Sequence, residues 1–295
     1  MPSGKRAREQ RRAASTPPPV RSKGGAGVAR QASPKVLAIA GGVVVLVVIA
    51  IVLAVVLSSG KGSGRSSGGG DGPTITIAAG TPAVGSSTGP NALYGAAAVA
   101  KLLKGIPQQA FVLGAPNAPV TLIEYIDLQC PDCDQFETTE FPTLVKDYVR
   151  TGKLKIKMQP WSILDAPGEH DSDRGQKATI AAAAQNKAFN FSQVLYDNQG
   201  TEHTHWMTDA AISNIAASVD GLKTDQLATD ANGAATKSII ASITAWANTH
   251  FNATTGEMNG TPNLYLQKGN SAPRFFIDGV PDLGNLEAAI NALLK

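Results

Sequence analysis

The stretch that decides the fold is VTLIEYIDLQCPDC, residues 120–133, in which a mostly apolar run leads directly into two closely spaced cysteines. Val120 to Ile126 is short, apolar and rich in β-branched residues, a pattern that predicts a buried strand. Pro131 suits the first turn of a helix, so Cys130 is predicted to lie at a strand-to-helix junction. The chain around this junction is therefore expected to fold as an α/β domain.

The chain has 2 cysteines, Cys130 and Cys133, and this pair suggests redox chemistry. At the start of a helix the first sulfur faces unpaired backbone N–H groups, which favour its thiolate. A thiolate is the attacking species in disulfide exchange, and a second sulfur on the same helical face can close or resolve a disulfide. We therefore predict that Cys130 is the nucleophile and Cys133 the resolving thiol.

Two other interpretations of the cysteine pair are half of a zinc site and a purely structural bridge. Tetrahedral zinc needs two more ligands, but the sequence has no second cysteine pair, and its 4 histidines are not at paired finger spacing. A bridge across so short a gap removes little chain entropy and would add little stability. No Gly-rich phosphate loop follows a strand, and we expect neither a metal nor a cofactor.

Glu124 is an acid inside the otherwise apolar strand that precedes the cysteines. A buried carboxylate loses hydration, which raises its pKa unless it has a partner. One interpretation is a catalytic proton relay beneath the cysteines that accepts or returns the proton of Cys133. The other is an acid at a strand edge that simply reaches solvent.

The remaining pattern continues the α/β order. LKIKM (154–158) alternates like a further strand. Residues 173–251 are Ala-rich with helical periodicity that is broken near Gly200 and Gly221, which predicts a block of about four helices. NLYLQ (263–267) and RFFID (274–278) are predicted to form a hairpin before a terminal helix over residues 285–294.

The run LGAPNAPVTLIEY (113–125), followed by DLQCPDC (127–133), resembles the DsbA family of thioredoxin-like oxidoreductases. The similarity extends over about residues 108–295, and the predicted helical block lies where that family inserts its helical domain. The resemblance implies a thioredoxin fold with a helical insertion over residues 106–295. It also implies disulfide exchange outside the cytoplasm.

Gly260-Thr261-Pro262 resembles the cis-proline loop of the same family. The resemblance implies a cis peptide at Thr261-Pro262, packed against the disulfide, where the backbone pairs with a client peptide. Pro273 is a rival for this role, but choosing it would leave almost no room for the last strand. We therefore expect Pro262 to be the cis-proline.

Asp132 departs from the best-known members, because a His is common at this position in strong oxidants. An acid beside Cys130 disfavours its thiolate and stabilises the disulfide, which makes a weaker oxidant. We expect an oxidant of cysteine-containing exported proteins, reoxidised by a quinone-linked membrane oxidase of the DsbB or VKOR type. A reductase or isomerase is the nearest alternative, and a non-catalytic tethered binding module is another.

The N-terminal part predicts a membrane anchor. Residues 1–35 contain nine Lys or Arg and one acid, whereas residues 36–57 have no charge and would be about 33 Å long as a helix. Basic residues before this segment place the N-terminus in the cytoplasm. We expect a single-pass signal-anchor in the cell membrane, although a cleaved signal peptide and a buried core helix are alternatives.

The net positive charge of the chain comes from that tail. Residues 1–35 carry a net charge of +8, so the remainder, in a chain of +3, carries −5 and gives no reason to expect nucleic-acid binding. Residues 58–72 are rich in Gly and Ser and should form a flexible tether. Together with a partly ordered lead-in, in which TITIA (74–78) is a candidate short strand and residues 92–103 a candidate short helix, they make a predicted linker over residues 58–105.

Overall fold

The computed structural model describes residues 73–295. The predicted cytoplasmic tail, the predicted transmembrane helix of residues 36–57 and the first part of the linker lie outside the described residues. Across residues 73–295, no helix combines the length and the apolar character needed to cross a bilayer.

A six-stranded mixed sheet forms the centre of the described domain, in the order β1-β2-β4-β3-β5-β6. β3 is parallel to β4 and antiparallel to β5, which pairs in turn with β6. The predicted central strand, the LKIKM strand and the hairpin are thus confirmed. The strands are β1 (Gln108–Gln109), β2 (Val112–Leu113), β3 (Val120–Ile126), β4 (Leu154–Pro160), β5 (Asn263–Lys268) and β6 (Arg274–Asp278).

Helices surround this sheet and connect its strands. The parallel pair β3 and β4 needs a crossover, which the helical run after the cysteines supplies. The helices are α1 (Ala96–Leu103), α2 (Pro131–Gln135), α3 (Phe141–Leu144), α4 (Asp171–Ala184), α5 (Ala188–Tyr196), α6 (Asp209–Ala217), α7 (Thr224–Ala231), α8 (Ala234–His250) and α9 (Leu283–Leu294).

The helical run after the cysteines contains a proline, Pro142, which we predict to kink it. Proline has no N–H to donate and its ring crowds the preceding turn. A π-helical turn, Phe136–Glu140, separates α2 from α3 just before Pro142, and the Phe141 N–H donates to the Phe136 carbonyl, five residues back. The turn before the proline therefore contains one residue more than an ordinary α-helical turn.

The inserted helical block is close to its predicted bounds but contains five helices, α4 to α8. The breaks predicted near Gly200 and Gly221 are present. Further breaks lie at Asn186, which has a φ of +56°, and at Gly233, which caps α8. Helices often end at a residue in the left-handed conformation, which Asn tolerates. Such an end depends on one residue, so the periodicity of apolar residues does not reveal it.

The described part of the lead-in, residues 73–105, packs on the helical block. Ile75 is buried, and the Asn232 side chain binds both its backbone N–H, at 3.0 Å, and its carbonyl, at 2.8 Å. The residues TITIA therefore form no strand, since a side chain satisfies the backbone there. The predicted short helix in this region is α1, whose Val99 and Leu103 are buried.

Candidate active site

The two cysteines lie at the junction between β3 and α2. Cys130 is the N-cap residue of α2, and Pro131 occupies the first turn, so the local sequence folds as predicted. Cys130 is 6% exposed and Cys133 is fully buried, with no disulfide between them in this structure. The Cys130 sulfur is therefore the one of the two that a visiting thiol can reach.

The loop before β5 faces Cys130. The Cys130 Sγ donates to the Thr261 carbonyl at 3.2 Å, and the Thr261-Pro262 peptide bond is cis. Within residues 73–295 no other peptide bond is cis, so the bond before Pro273 is trans. β5 pairs with β3, and this pairing brings the loop to the cysteines.

The surroundings of Cys130 lower its pKa to about 7. The largest cause is a hydrogen bond from the Cys133 thiol, which outweighs the opposing effect of burial. The Thr261 side chain and the backbone N–H groups of Cys133 and Asp132 act in the same direction. The Thr261 hydroxyl is buried and makes no hydrogen bond in the structure, so it is free to donate to a thiolate at Cys130.

Cys133 has the opposite chemistry. Burial raises its pKa well above the ordinary value, and the nearby Cys130 sulfur raises it further. At neutral pH a large fraction of Cys130, about half, is therefore thiolate, while Cys133 is held in its protonated form. This difference fits a nucleophile and a resolving thiol.

Pro131 and Asp132 are both exposed at the start of α2. They lie on the surface beside the Cys130 sulfur, where a polypeptide approaching that sulfur would meet them. The residues between the two cysteines influence the redox chemistry of a Cys-x-x-Cys site. In this protein both of them are exposed to solvent.

Glu124 is fully buried, so the interpretation that it reaches solvent is wrong. Neither of its carboxylate oxygens has a hydrogen-bond partner. Burial raises its pKa well above the ordinary value, and the charge of Glu137 raises it further. Both effects favour the protonated carboxyl, which is the state a proton donor needs.

Glu137 is a second buried acid of the site, and we do not predict it from the sequence. The Gln193 side chain donates to one oxygen of its carboxylate, the other has no partner, and burial raises its pKa to about 8. A signal was present in the sequence: Glu137 is four residues after Cys133, on the same helical face.

The helical block contacts the cysteine loop through residues distant in sequence. The Tyr196 hydroxyl donates to the Asp127 carbonyl at 3.1 Å, and the Gln199 side chain donates to the Leu128 and Cys130 carbonyls at 3.0 and 3.3 Å. These contacts fix the backbone that carries the reactive sulfur.

The zinc interpretation finds no support in the part of the chain that the structure describes. Over residues 73–295 no three His, Cys, Asp or Glu side chains come together in a way that could hold a metal ion.

Comparisons with known proteins agree with this geometry. A family model described as thioredoxin matches residues 107–278. The chain is 26% identical over 186 residues to the probable disulfide bond formation protein D of Bacillus cereus, covering 62% of this chain and 78% of that protein.

Two solved structures share the fold. Oxidised BdbD from Bacillus subtilis is 20% identical, with a TM-score of 0.52, and the match covers 64% of this chain and 97% of that one. DsbA from Chlamydia trachomatis is 17% identical, with a TM-score of 0.51, over 62% of this chain and 90% of that one. The similarity supports the mixed α/β thioredoxin-like fold with its helical insertion.

Proposed function

The chain belongs to the thioredoxin family and is a DsbA-like thiol-disulfide oxidoreductase, and from this premise we propose that it oxidises cysteine pairs in exported proteins. The proposed site is Cys130-Pro131-Asp132-Cys133, with Thr261 and Pro262 as the surface that receives the client. The name of the Bacillus cereus relative, a disulfide bond formation protein, favours the oxidising direction.

One observation carries the proposal: the Cys130 sulfur, with its lowered pKa, lies 3.2 Å from the Thr261 carbonyl beside the cis peptide bond. A client peptide running along this loop would bring its own sulfur to Cys130. The fully buried Cys133 stays behind it as the partner for the internal disulfide.

The reaction balances as a two-electron exchange. A client thiolate attacks the Cys130 sulfur of the disulfide, the Cys130–Cys133 bond breaks, and Cys133 departs and takes up a proton. A second client thiolate then attacks the client sulfur of the mixed disulfide and releases Cys130 as a thiolate. The client loses two electrons, which reduce the pair to the dithiol.

Glu124 is the proposed source of the proton that Cys133 takes up. It is buried, its pKa is raised by that burial, and it has no hydrogen-bond partner, so its proton is not committed elsewhere. The buried Cys133 thiolate is a poor leaving group unless a proton reaches it.

Regeneration needs an electron acceptor. We propose a quinone-linked membrane oxidase of the DsbB or VKOR type, by the resemblance to the DsbA family. Residues 36–57 would anchor the chain in the cell membrane, with residues 1–35 in the cytoplasm and the catalytic domain outside. No cofactor, metal or nucleic acid enters the proposed reaction.

A second candidate, a reductase or isomerase, is favoured by the value of one pKa. The pKa of Cys130 is about 7, whereas the corresponding thiol has a pKa of ~7 in thioredoxin and ~3.5 in DsbA. A less stabilised thiolate makes the disulfide harder to reduce. The exposed acid Asp132 acts in the same direction.

The redox potential separates these candidates. We expect equilibration of the purified domain with glutathione to give a potential well above thioredoxin's roughly −270 mV, towards DsbA's roughly −120 mV. A value at or below that of thioredoxin would favour the reductase instead. Mostly oxidised Cys130 in intact cells, measured by alkylation with and without reductant, would support the oxidant.

Loss of client oxidation in Cys130→Ser is the control that distinguishes both enzymes from a non-catalytic binding module. If that variant is as active as the unmodified protein, the redox function is wrong in either direction.

A further inference from the structure

The first residue after β3, Asp127, is a fully buried acid that the proposed reaction does not use. Each of its carboxylate oxygens accepts two hydrogen bonds. Oδ1 accepts from the Gln129 N–H at 3.0 Å and the Ser172 hydroxyl at 2.7 Å. Oδ2 accepts from the N–H groups of Ile163 and Leu164 at 2.8 and 3.2 Å.

These four donors come from three separate parts of the chain. Gln129 belongs to the cysteine loop, Ile163 and Leu164 to the segment after β4, and Ser172 to α4 of the helical block. One carboxylate therefore joins the loop to the insertion. All four donors are neutral, and together they oppose the effect of burial, which raises the Asp127 pKa.

The backbone of the same residue holds the nucleophile. The Asp127 carbonyl accepts the Cys130 N–H at 3.2 Å and the Tyr196 hydroxyl at 3.1 Å. A residue anchored by its side chain thus provides the acceptor that fixes Cys130. The position of the Cys130 sulfur relative to the Thr261 carbonyl depends on that anchor.

We propose that Asp127 is a positioning residue for the redox site, which transmits the packing of the helical insertion to Cys130. This inference deepens the proposed function and rests on it for its turnover readout. The Asp127 backbone N–H lies within hydrogen-bond reach of the Cys133 sulfur, whereas the Asp127 carboxylate binds only its four donors. The contribution of the side chain is therefore to hold the cysteine loop in place.

The chemistry of the side chain explains why an acid is needed. A carboxylate can accept all four hydrogen bonds, whereas an amide has one acceptor oxygen and an NH2 group that only donates. In Asp127→Asn the NH2 group would replace one of the two carboxylate oxygens. At either position it would face at least one backbone N–H donor. The loop can relieve that conflict only by moving.

The test compares Asp127→Asn with Asp171→Asn. Asp171 is another buried acid of the insertion, 4% exposed, whose carboxylate accepts the N–H groups of Trp206 and Met207, both at 3.0 Å. It anchors a different loop and makes no contact with Cys130 in the structure. It therefore controls for loss of stability alone.

Two readouts distinguish positioning from folding. The first is the pKa of Cys130 in the reduced protein, from the pH dependence of its alkylation by iodoacetamide, which needs no turnover. The second is client-peptide oxidation with kcat and KM separated. For Asp127→Asn we expect kcat to fall about tenfold with KM nearly unchanged, as misplacement of a reacting group predicts.

We expect the Cys130 pKa to rise from about 7 in Asp127→Asn, because a displaced sulfur loses its donors. Asp171→Asn should leave both readouts unchanged. Equal effects in the two variants, or no effect of a folded Asp127→Asn, would overturn the inference. If Asp127→Asn does not fold, Ser172→Ala, which removes one donor, must show a smaller change in the same direction, and no change would also overturn it.

The two readouts keep this inference separate from the proposed function. An unmodified protein that oxidises no client would refute the function, while the alkylation result still decides the role of Asp127. An active protein in which Asp127→Asn matches Asp171→Asn would refute only the positioning role.

Discussion

The two faces of β3 are both buried but differ in chemistry. Alternate residues of a strand point to opposite faces. On one face Ile123 and Tyr125 join a compact aromatic cluster beneath α8. On the other, Leu122 and Ile126 belong to the main core, and Glu124 lies between them with no hydrogen-bond partner.

The aromatic face is built for stability. The Tyr125 ring stacks on Trp246 at 4.9 Å between ring centroids and meets Trp161 and Tyr265 edge-on at 6.4 and 6.0 Å. Such pairs add to the free energy gained by burying the rings.

The opposite face of β3, which carries Glu124 and packs in the same core as the two cysteines, is called the cysteine face. It contains buried groups that lower the stability of the fold. Glu124 and Glu137 are both fully buried, and three of their four oxygens have no hydrogen-bond partner. A buried polar group without a partner destabilises the fold. The comparison teaches that one face of a strand can hold the domain together while the other carries a buried acid without a hydrogen-bond partner.

The largest expected effect is on the aromatic face. Tyr125→Ala should reduce the free energy of unfolding by about 3–5 kcal/mol, the usual range for deleting a buried aromatic ring. Denaturant unfolding measures this loss, and iodoacetamide alkylation should give an unchanged pKa for Cys130. A cost below about 1 kcal/mol, or a clear shift of that pKa, would break the division between the two faces.

The next effect is a pH dependence from the cysteine face. The pKa of Glu137 is raised to about 8, and that of Glu124 is also raised, so the folded protein holds protons that the unfolded chain releases. Stability is then greatest below the unfolded pKa and is lost as pH rises towards the folded one. Each group contributes a slope of up to about 1.4 kcal/mol per pH unit.

Glu137→Gln tests this slope. Between about pH 5 and pH 7, where both acids have different proton occupancies in the folded and unfolded chains, the variant should lose stability less steeply than the unmodified protein. Asp147→Asn, which changes an exposed acid of the same helical run, should keep the original slope. Identical slopes in all three proteins would show that Glu137 is ionised in the fold.

The smallest effect concerns the Thr261 hydroxyl. Thr261→Val removes a donor to the Cys130 thiolate but keeps the backbone carbonyl, so the pKa of Cys130 should rise modestly from about 7. Thr261→Ser retains the hydroxyl and should restore the original value. If both variants titrate like the unmodified protein, the thiolate depends on the other donors alone.

Local signals in the sequence were sufficient for much of the fold. The apolar run before Cys130, the alternation in LKIKM and the two segments of the hairpin each correspond to an observed strand. These elements depend on periodicity and turn residues within a few positions. The position of the cis peptide before Pro262 came from resemblance and from the room the hairpin needs.

The polar contacts around the cysteines could not be predicted in the same way. Asp127 meets Ser172, and Glu137 meets Gln193, across long stretches of chain that only the packed insertion brings together. The number of helices was also underestimated, because single residues such as Asn186 end them. Periodicity identifies buried faces but not which polar groups meet.

The measurement that tests the central claim most directly is trapping of a mixed disulfide in Cys133→Ser. The client peptide is supplied with its cysteine as a disulfide to a small thiol, so that the Cys130 thiolate attacks the peptide sulfur and releases the small thiol. Without the resolving thiol the peptide should remain bound, and peptide mapping should place the bond at the Cys130 sulfur. Cys130→Ser under the same conditions should yield no such adduct. Absence of an adduct in Cys133→Ser, or equal adducts in both variants, would contradict the assignment of Cys130 as the nucleophile.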